Sequence, residues 1–529
     1  MKPLIHPAVT ALGIATLCLI SKISFLTSPE HLVVYHYEGK AWPLFASTIV
    51  DFAALSLLLM SLLRFTERRD RSRAVLRCAL VCGLPWVALR GFFAIFEWAE
   101  PSQVSMLLLF SSFVAFLVFV FVPILEPAFE RIWELSTTIL GFVAIAGLIA
   151  VAELFCFGWQ ARHLNSSLPL HQHSDFSKSG ETKPRVIWIL LDELSYQQVY
   201  ERRFPGLQLP AFDRLATQST VFTQTIPSGT YTERVIPSLF TGQVVDRLRA
   251  SADGQLASVR NKDSGRWQRF DQHDTVFQDA LDTGYSTAVA GWYNPYCRIL
   301  PQVLDQCFWR GRVPRINGLL LDGSLSATMS DLLRRKSDAM ESLCFWWQRK
   351  RSPVEDSPAA AVHIADYNDI SLAADTLLRD RSLDFVFLHM PVPHPEGIYD
   401  RKTNQFVTSH STYIDNLVLA DKTLAHIRGV LGQGNDWDSS AVVVMGDHSW
   451  RTGIWSPQAS WTPEEQIASQ GGQFDNRPVY IVKLPYQQNA SRFNTSYPAI
   501  RTRALLDAIL HRQVRTDSEL SLWARQTHY

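Results

Sequence analysis

Five long apolar runs fill the first 160 residues of this chain, roughly at 7–26, 41–65, 74–98, 102–126 and 132–159. Each is near or above the ~20 residues a helix needs to cross a bilayer. Buried helices of a large soluble core are the other use for such runs, but five in succession at this length fit a membrane bundle far better. The first run follows a start with Lys2 as its single basic residue. A cleaved signal peptide is the alternative there, yet no clean small-x-small site follows, so a retained helix is expected.

Orientation follows from the basic residues. Arg64, Arg68, Arg69, Arg71, Arg73 and Arg77 cluster between the second and third runs. The positive-inside rule places that loop in the cytoplasm. Five spans then put the N-terminus inside and everything beyond about residue 160 outside. Localisation is therefore expected to be the cytoplasmic (inner) membrane, multi-pass, with an extracytoplasmic domain. Asp51, Arg90 and Glu153 fall inside the runs. Such charges pair, snorkel or grip a polar headgroup, because an isolated one in hydrocarbon is costly.

The 529 residues carry 50 basic and 50 acidic side chains, a formal net charge of zero. That argues against nucleic acid as a partner, which calls for a basic surplus. No protein partner is evident either. Of seven cysteines, Cys297, Cys307 and Cys344 lie in the outer part. An oxidising compartment allows a Cys297–Cys307 bridge across YCRILPQVLDQC, with three free thiols as the other reading.

Residues 161–184 are polar and read as a linker, dividing a membrane domain at 1–160 from an outer domain at 185–529. RVIWILL at 185–191 is a continuous apolar run, typical of a strand covered on both faces. Further strands are expected at 219–224, 285–290, 384–389, 440–445 and 479–484. Helical patterns lie between them at 210–217, 232–241, 275–283, 412–430 and 500–512. This alternation predicts an α/β domain with a mostly parallel sheet. Residues 305–360 are less regular and include a basic, aromatic helical pattern, DLLRRKSDAMESLCFWWQRKR.

In such a sheet, ligands gather beyond the carboxyl ends of the strands. The first strand ends in Asp192-Glu193 and the strand AVVVMG ends in Asp447-His448. Carboxylates and an imidazole from two strand ends can converge on one divalent ion, with zinc, manganese and calcium as candidates. Thr232 opens TERVIPSLFTG. Thr230 and Glu233 fit a capping box, which makes Thr230 the expected cap and puts Thr232 in the first turn. There its hydroxyl is either a structural group or a nucleophile activated by a bound cation. After another strand, His389 and His394 flank Pro-Val-Pro. His394, in the loop, suits proton transfer, while His389, still at the strand end, reads as a packed residue.

The ordered set of strand–Asp-Glu, T-x-x-x-x-P-S-L-F-T-G, H-M-P-x-P-H-P and strand–G-D-H-S resembles the alkaline phosphatase/sulfatase superfamily. With five spans ahead of it, the arrangement resembles the phosphoethanolamine transferases of lipid A and lipoteichoic acid synthase. The resemblance implies Thr232 as nucleophile and Asp192, Glu193, Asp447 and His448 as ligands of one divalent metal. It implies that His394 contacts the transferred group and that Arg451 binds its oxygens. The expected activity is phosphotransfer through phosphothreonine, from a membrane lipid donor to an envelope glycan or lipid. Sulfatase-like hydrolysis of sulfate or phosphate esters is one alternative, and a non-catalytic envelope scaffold or sensor another. Sulfatases of the usual kind carry Cys or Ser in C/S-x-P-x-R and oxidise it to an aldehyde. Threonine, a secondary alcohol, cannot yield that aldehyde. The D-x-x-x-H spacing at Asp507/His511, which a second metal would call for, lies on a late amphipathic helix and reads as surface.

Overall fold

The structure, a computed structural model, describes residues 2–38, 41–67, 70–95, 102–122, 126–163, 170, 183–311, 315–316, 319–320, 357–434, 436–458 and 460–526. Most of the expected linker, the basic aromatic segment and Cys344 lie outside these residues. Two compact units form. One holds the described residues up to Val34 and those between 41 and 163. The other holds Tyr35–Glu38 and nearly all described residues from 170 onward.

The first unit is built from helices α1 (Lys2–Leu26), α2 (Trp42–Glu67), α3 (Asp70–Ile95), α4 (Ser102–Phe121) and α5 (Glu126–Gln160). Of the five expected spans, three are long and apolar enough among the described residues to cross a membrane: Trp42–Glu67, Asp70–Leu89 and Glu126–Gln160. The described parts of α1 and α4 give shorter apolar stretches, Pro7–Ile20 and Leu107–Phe121. Helices α1 and α5 meet where glycine permits it. A side chain on Gly13 would strike the Leu140 backbone, and one on Gly147 would strike Thr16. Small residues that let backbones approach are how helices associate without a hydrophobic drive between them. Large apolar side chains face outward, with Leu58, Phe110 and Phe142 each more than half exposed. Large apolar side chains left exposed along these helices suit lipid rather than water.

The second unit is an α/β domain around an eight-stranded sheet. Its strands are β1 (Val186–Leu191), β2 (Thr220–Phe222), β3 (Thr287–Trp292), β4 (Gln306–Arg310), β5 (Phe385–Met390), β6 (Ala441–Met445), β7 (Tyr480–Lys483) and β8 (Ser491–Phe493). The spatial order is β8-β2-β7-β6-β1-β5-β3-β4. The run β6-β1-β5-β3-β4 is parallel, and β7 is antiparallel to both of its neighbours. Every residue of β1, β5 and β6 is buried, which explains why these strands read as unbroken apolar runs instead of alternating. Helices α6 (Thr232–Thr241), α7 (Pro358–Arg379) and α8 (Tyr413–Gln433) belong to the same domain. Helix α8 begins with a capping box between Thr412 and Asp415. The core joins Ile187, Ile189, Leu388, Val444, Leu417 and Leu424. Burying each of these side chains contributes about 1.5–3 kcal/mol relative to leaving it in water.

Six strands and five helices of this domain fall where the sequence places them, with ends shifted by a few residues. The sequence did not signal β4, β8, helix α7 or an antiparallel meander at Val245–Ala250, Leu256–Asn261 and Trp267–Arg269. Cys297 and Cys307 form the bridge that the loop allowed. Asp507 and His511 pair with each other at 3.1 Å, both about half exposed, as a surface reading requires.

Lys483 on β7 is buried, and its ammonium donates to the carbonyls of Trp437, Asp438, Ser440 and Leu484. Burial pulls its pKa down from 10.5 to about 8. Between those values the unfolded chain holds the proton and the folded chain does not, so this group makes stability rise with pH there. In thermal denaturation, the parent should therefore gain on a Lys483→Met variant between about pH 8 and 10.5, with a constant gap below pH 8. The gain expected is on the order of 2–4 °C.

Candidate active site

Strands β1 and β6 are parallel neighbours, with Leu190 opposite Met445. Their next residues leave the sheet side by side. Gly446 makes the approach feasible, because a side chain there would lie 2.8 Å from the Leu194 carbonyl. Glu193 turns the first strand end with φ of +61°, a left-handed conformation that costs a non-glycine residue about 1 kcal/mol or more. Its backbone N–H donates to Asp447 Oδ1 at 3.0 Å, tying the two turns together.

Thr232 is the first residue of α6. The residue before it, Tyr231, occupies the N-cap position and makes no side-chain capping bond. The capping-box expectation at Thr230 is thus corrected: Thr230 stands one residue too early, and its carbonyl instead accepts from Arg451 Nη1 at 3.1 Å. The Thr232 hydroxyl, almost fully buried, donates to Asp447 Oδ2 at 2.7 Å. It lies 3.4 Å from Asp192 Oδ2 and 3.4 Å from His448 Nε2. His448 Nε2 is 3.0 Å from Asp447 Oδ2. Four side chains from three distant segments therefore meet around one point.

Asp192, Glu193 and Asp447 are fully buried. Burial pushes the Asp447 carboxyl upward, but the imidazolium of His448 and the Thr232 hydroxyl outweigh it and hold the group well below the usual carboxylate range. Burial pulls His448 down, and the Asp447 charge more than reverses this, lifting it to about 9. Asp192 Oδ1 is buried without a hydrogen-bond partner. Two oxygen donors, an imidazole and an orphaned carboxylate oxygen are what a divalent cation takes, and ligand atoms of Asp192, Asp447 and His448 lie within 4.8 Å of one another. The residues fit such an ion.

A second group lies beside the first. Atoms of Asp192, Glu193 and His394 also fall within 4.8 Å of one another. The Glu193 carboxylate accepts from Arg451 Nε at 2.6 Å and from Trp455 Nε1 at 3.1 and 3.2 Å, with Arg451 Nη2 also paired to it. Arg451 is thus engaged by Glu193. His394 Nε2 is 3.9 Å from Glu193 and 3.5 Å from Arg451 Nη2. Its ring stands edge-on to Trp292 and Trp455, at centroid distances of 5.1 and 5.5 Å.

The sequence reading took His389 for a packed residue and did not single out Tyr296 or Trp455. His389 is indeed buried, yet its Nε2 points to within 3.4 Å of Asp192 Oδ2, while its Nδ1 meets the Tyr296 hydroxyl at 2.6 Å. Its signal was its place: β5 pairs with β1 and puts His389 opposite Leu190, at the end where the acidic residues emerge.

Residues 184–297 match the sulfatase family. They include β1 with Asp192-Glu193, helix α6 with Thr232, and β3 with the turn that follows. No curated protein matches the chain. Among solved structures, the chain is similar to the lipoteichoic acid synthase LtaP from Listeria monocytogenes at 16% identity, covering 62% of this chain and 72% of that one, with a TM-score of 0.36. It is similar to the phosphonate monoester hydrolase of Agrobacterium radiobacter at 13% identity, covering 66% and 79%, with a TM-score of 0.40. It is also similar to the PsFucS1 sulfatase from Pseudoalteromonas sp. at 13% identity, covering 62% and 68%, with a TM-score of 0.42.

Asp192→Asn and Asp447→Asn should each weaken divalent-cation binding at least about 100-fold in calorimetric titration of the full chain. Asp507→Asn, on the surface, should leave it unchanged.

Proposed function

We propose, from the premise that this chain carries an enzyme domain of the sulfatase family within the alkaline phosphatase superfamily, that it is a membrane-bound phosphotransferase working through Thr232. The observation that carries this reading is the buried Thr232 hydroxyl, 2.7 Å from Asp447 inside the Asp192–His448 group. A threonine is a secondary alcohol and cannot be oxidised to the aldehyde of the usual sulfatase route. It can, however, accept a phosphoryl group.

Enzymes of this superfamily use a divalent metal, and here Asp192, Asp447 and His448 would hold it, with Glu193 adjacent. Such an ion supplies Lewis acidity that draws charge from the oxygens of the transferred group. The chain's own residues do the rest. In the first half-reaction Thr232 Oγ1 forms a bond to phosphorus and the bond from phosphorus to the donor's alcohol breaks. The threonine proton is released to water, since Asp447 is held too far below its usual range to keep it, and His394 in its protonated form gives a proton to the departing oxygen. In the second half the acceptor hydroxyl attacks phosphorus and returns a proton to His394. Thr232 then leaves and regains its proton from water. The N-terminus of α6 favours the negative charge that passes through this position.

The apolar helices of the first unit support a membrane lipid as donor and an envelope glycan or lipid as acceptor. On this reading the chain spans the cytoplasmic membrane five times and its catalytic domain faces outward. Tethering to a bilayer raises the local concentration of a lipid donor.

Intact-mass analysis after incubating the full chain with phospholipid vesicles tests the reaction class. The expected result is an adduct on Thr232 whose mass matches a phosphorylated headgroup, absent in Thr232→Ala. That variant should lose at least roughly 10³-fold in turnover. Turnover of an aryl sulfate with no adduct on Thr232 would replace this reading with hydrolysis.

A further inference from the structure

The residues after α1 run Leu32-Val33-Val34-Tyr35-His36-Tyr37-Glu38. Tyr35–Glu38 groups with the second unit, although the chain on either side does not. Tyr35, His36 and Tyr37 are buried there. Arg298 Nη2 donates to the carbonyls of Tyr35 and Tyr37 at 3.1 and 2.8 Å. The Tyr35 hydroxyl donates to Asn294 Oδ1 at 3.3 Å. The His36 ring lies 4.4 Å from that of Tyr293, with its Nδ1 3.3 Å from the Tyr293 carbonyl. Glu38 accepts from Arg310 Nη1 at 2.7 Å and from the Gly311 N–H at 3.3 Å.

These partners lie on two segments, the turn 293–298 and Arg310-Gly311 at the end of β4. The turn needs holding. Tyr293 has φ of +70°, and the helix that follows, Tyr296–Ile299, is only four residues long. It carries Tyr296, whose ring occupies the space that a side chain on Gly291 would fill. From there the Tyr296 hydroxyl reaches His389 Nδ1 at 2.6 Å, and His389 Nε2 faces Asp192 at 3.4 Å. A hydrogen bond at one imidazole nitrogen fixes the ring's orientation, and so where the other nitrogen points.

We propose that Tyr35–Glu38 is a positioning element of the active site, holding the 293–298 turn so that Tyr296 fixes His389 against Asp192. Arg298 supports this. Burial lowers its pKa to about 10, so a cation is kept largely out of water to grip two backbone carbonyls of this segment. Desolvating a charge is costly, and a slack tether would not require it. The proposal relies on the phosphotransferase reading only for the reaction in which its effect on rate is measured.

The test uses the full chain in detergent with His36→Ala, Glu38→Gln and Tyr296→Phe. Two structural readouts are taken, amide hydrogen exchange over 293–298 and imidazole C2 hydrogen exchange at His389. They are compared with kcat and KM for transfer from a phospholipid. The first two variants should speed exchange in the turn and at His389 together. They should lower kcat about tenfold, a loss typical of groups that orient a site from behind, with KM within about twofold. Tyr296→Phe should loosen His389 and lower kcat without loosening the turn. Faster exchange in the turn alone, with His389 and kcat at parent values, would overturn the proposal. If the first two variants fail to fold, Tyr296→Phe decides, because parent-like His389 exchange and kcat in that variant remove the route. A parent with no transfer activity would refute the phosphotransferase reading while the exchange measurements still judge this one.

Discussion

Two carboxylates that should repel each other are held together in a dry interior. Asp192 and Asp447 emerge from adjacent parallel strands, both fully buried, and share the Thr232 hydroxyl between them. Charges this close in a low-dielectric site interact strongly, so the arrangement persists only with positive charge nearby. With Glu193 there are three carboxylates, and Arg451 answers one. The imidazolium of His448 answers a second, which is why its proton is held up to about 9. A divalent cation would balance Asp192 and Asp447 together and let His448 serve as a neutral ligand. A single bound ion would answer the carboxylates that these side chains crowd together.

The rest of the second unit makes that crowding tolerable. Strands β1, β5 and β6 are buried along their whole length, so their ends cannot drift without disturbing packed core. Gly446 and the left-handed Glu193 bring the two turns into contact, and the Glu193 N–H bond to Asp447 closes them. Strain at such positions persists where surrounding structure over-determines it. A threonine at the first position of α6 then enters from a third direction, with its rotamer limited by β-branching. Precision comes from the sheet, and chemistry from three short turns.

Much of this was legible in the sequence because the signals were local. An apolar run ending in Asp192-Glu193, and another ending in Asp447-His448, mark strands and their carboxyl ends without knowledge of pairing. The parallel sheet followed from alternation alone. What stayed hidden depended on pairing. His389 looks like one more residue of an apolar strand until β5 is set beside β1. Helix α7 was obscured because its start adjoins an irregular segment. The meander at 245–269 alternates buried residues with arginines, a weak period that suits a small, half-exposed sheet. Thr230 misled for the opposite reason: its capping-box spacing with Glu233 was correct, but the helix begins later. Glu233 is instead drawn inward, where burial raises its pKa. The partnership of Glu193 with Arg451 and Trp455 was equally out of reach, since nothing in a strand-end glutamate shows which cation it will meet.

That partnership constrains how an anionic group is received. Arg451 is paired to Glu193 and cannot turn to a substrate without leaving that buried carboxylate short of charge. Breaking a buried pair from one side costs about 3–5 kcal/mol. On the proposed reading, recognition of a phosphodiester draws on other groups: the first turn of α6, His394 between its two tryptophans, and the cation that the carboxylates would hold. On the proposed reading the order of events follows from charge alone, with metal bound before the phosphodiester, and the same ion that balances Asp192 and Asp447 makes the approach of a second anion to Thr232 favourable.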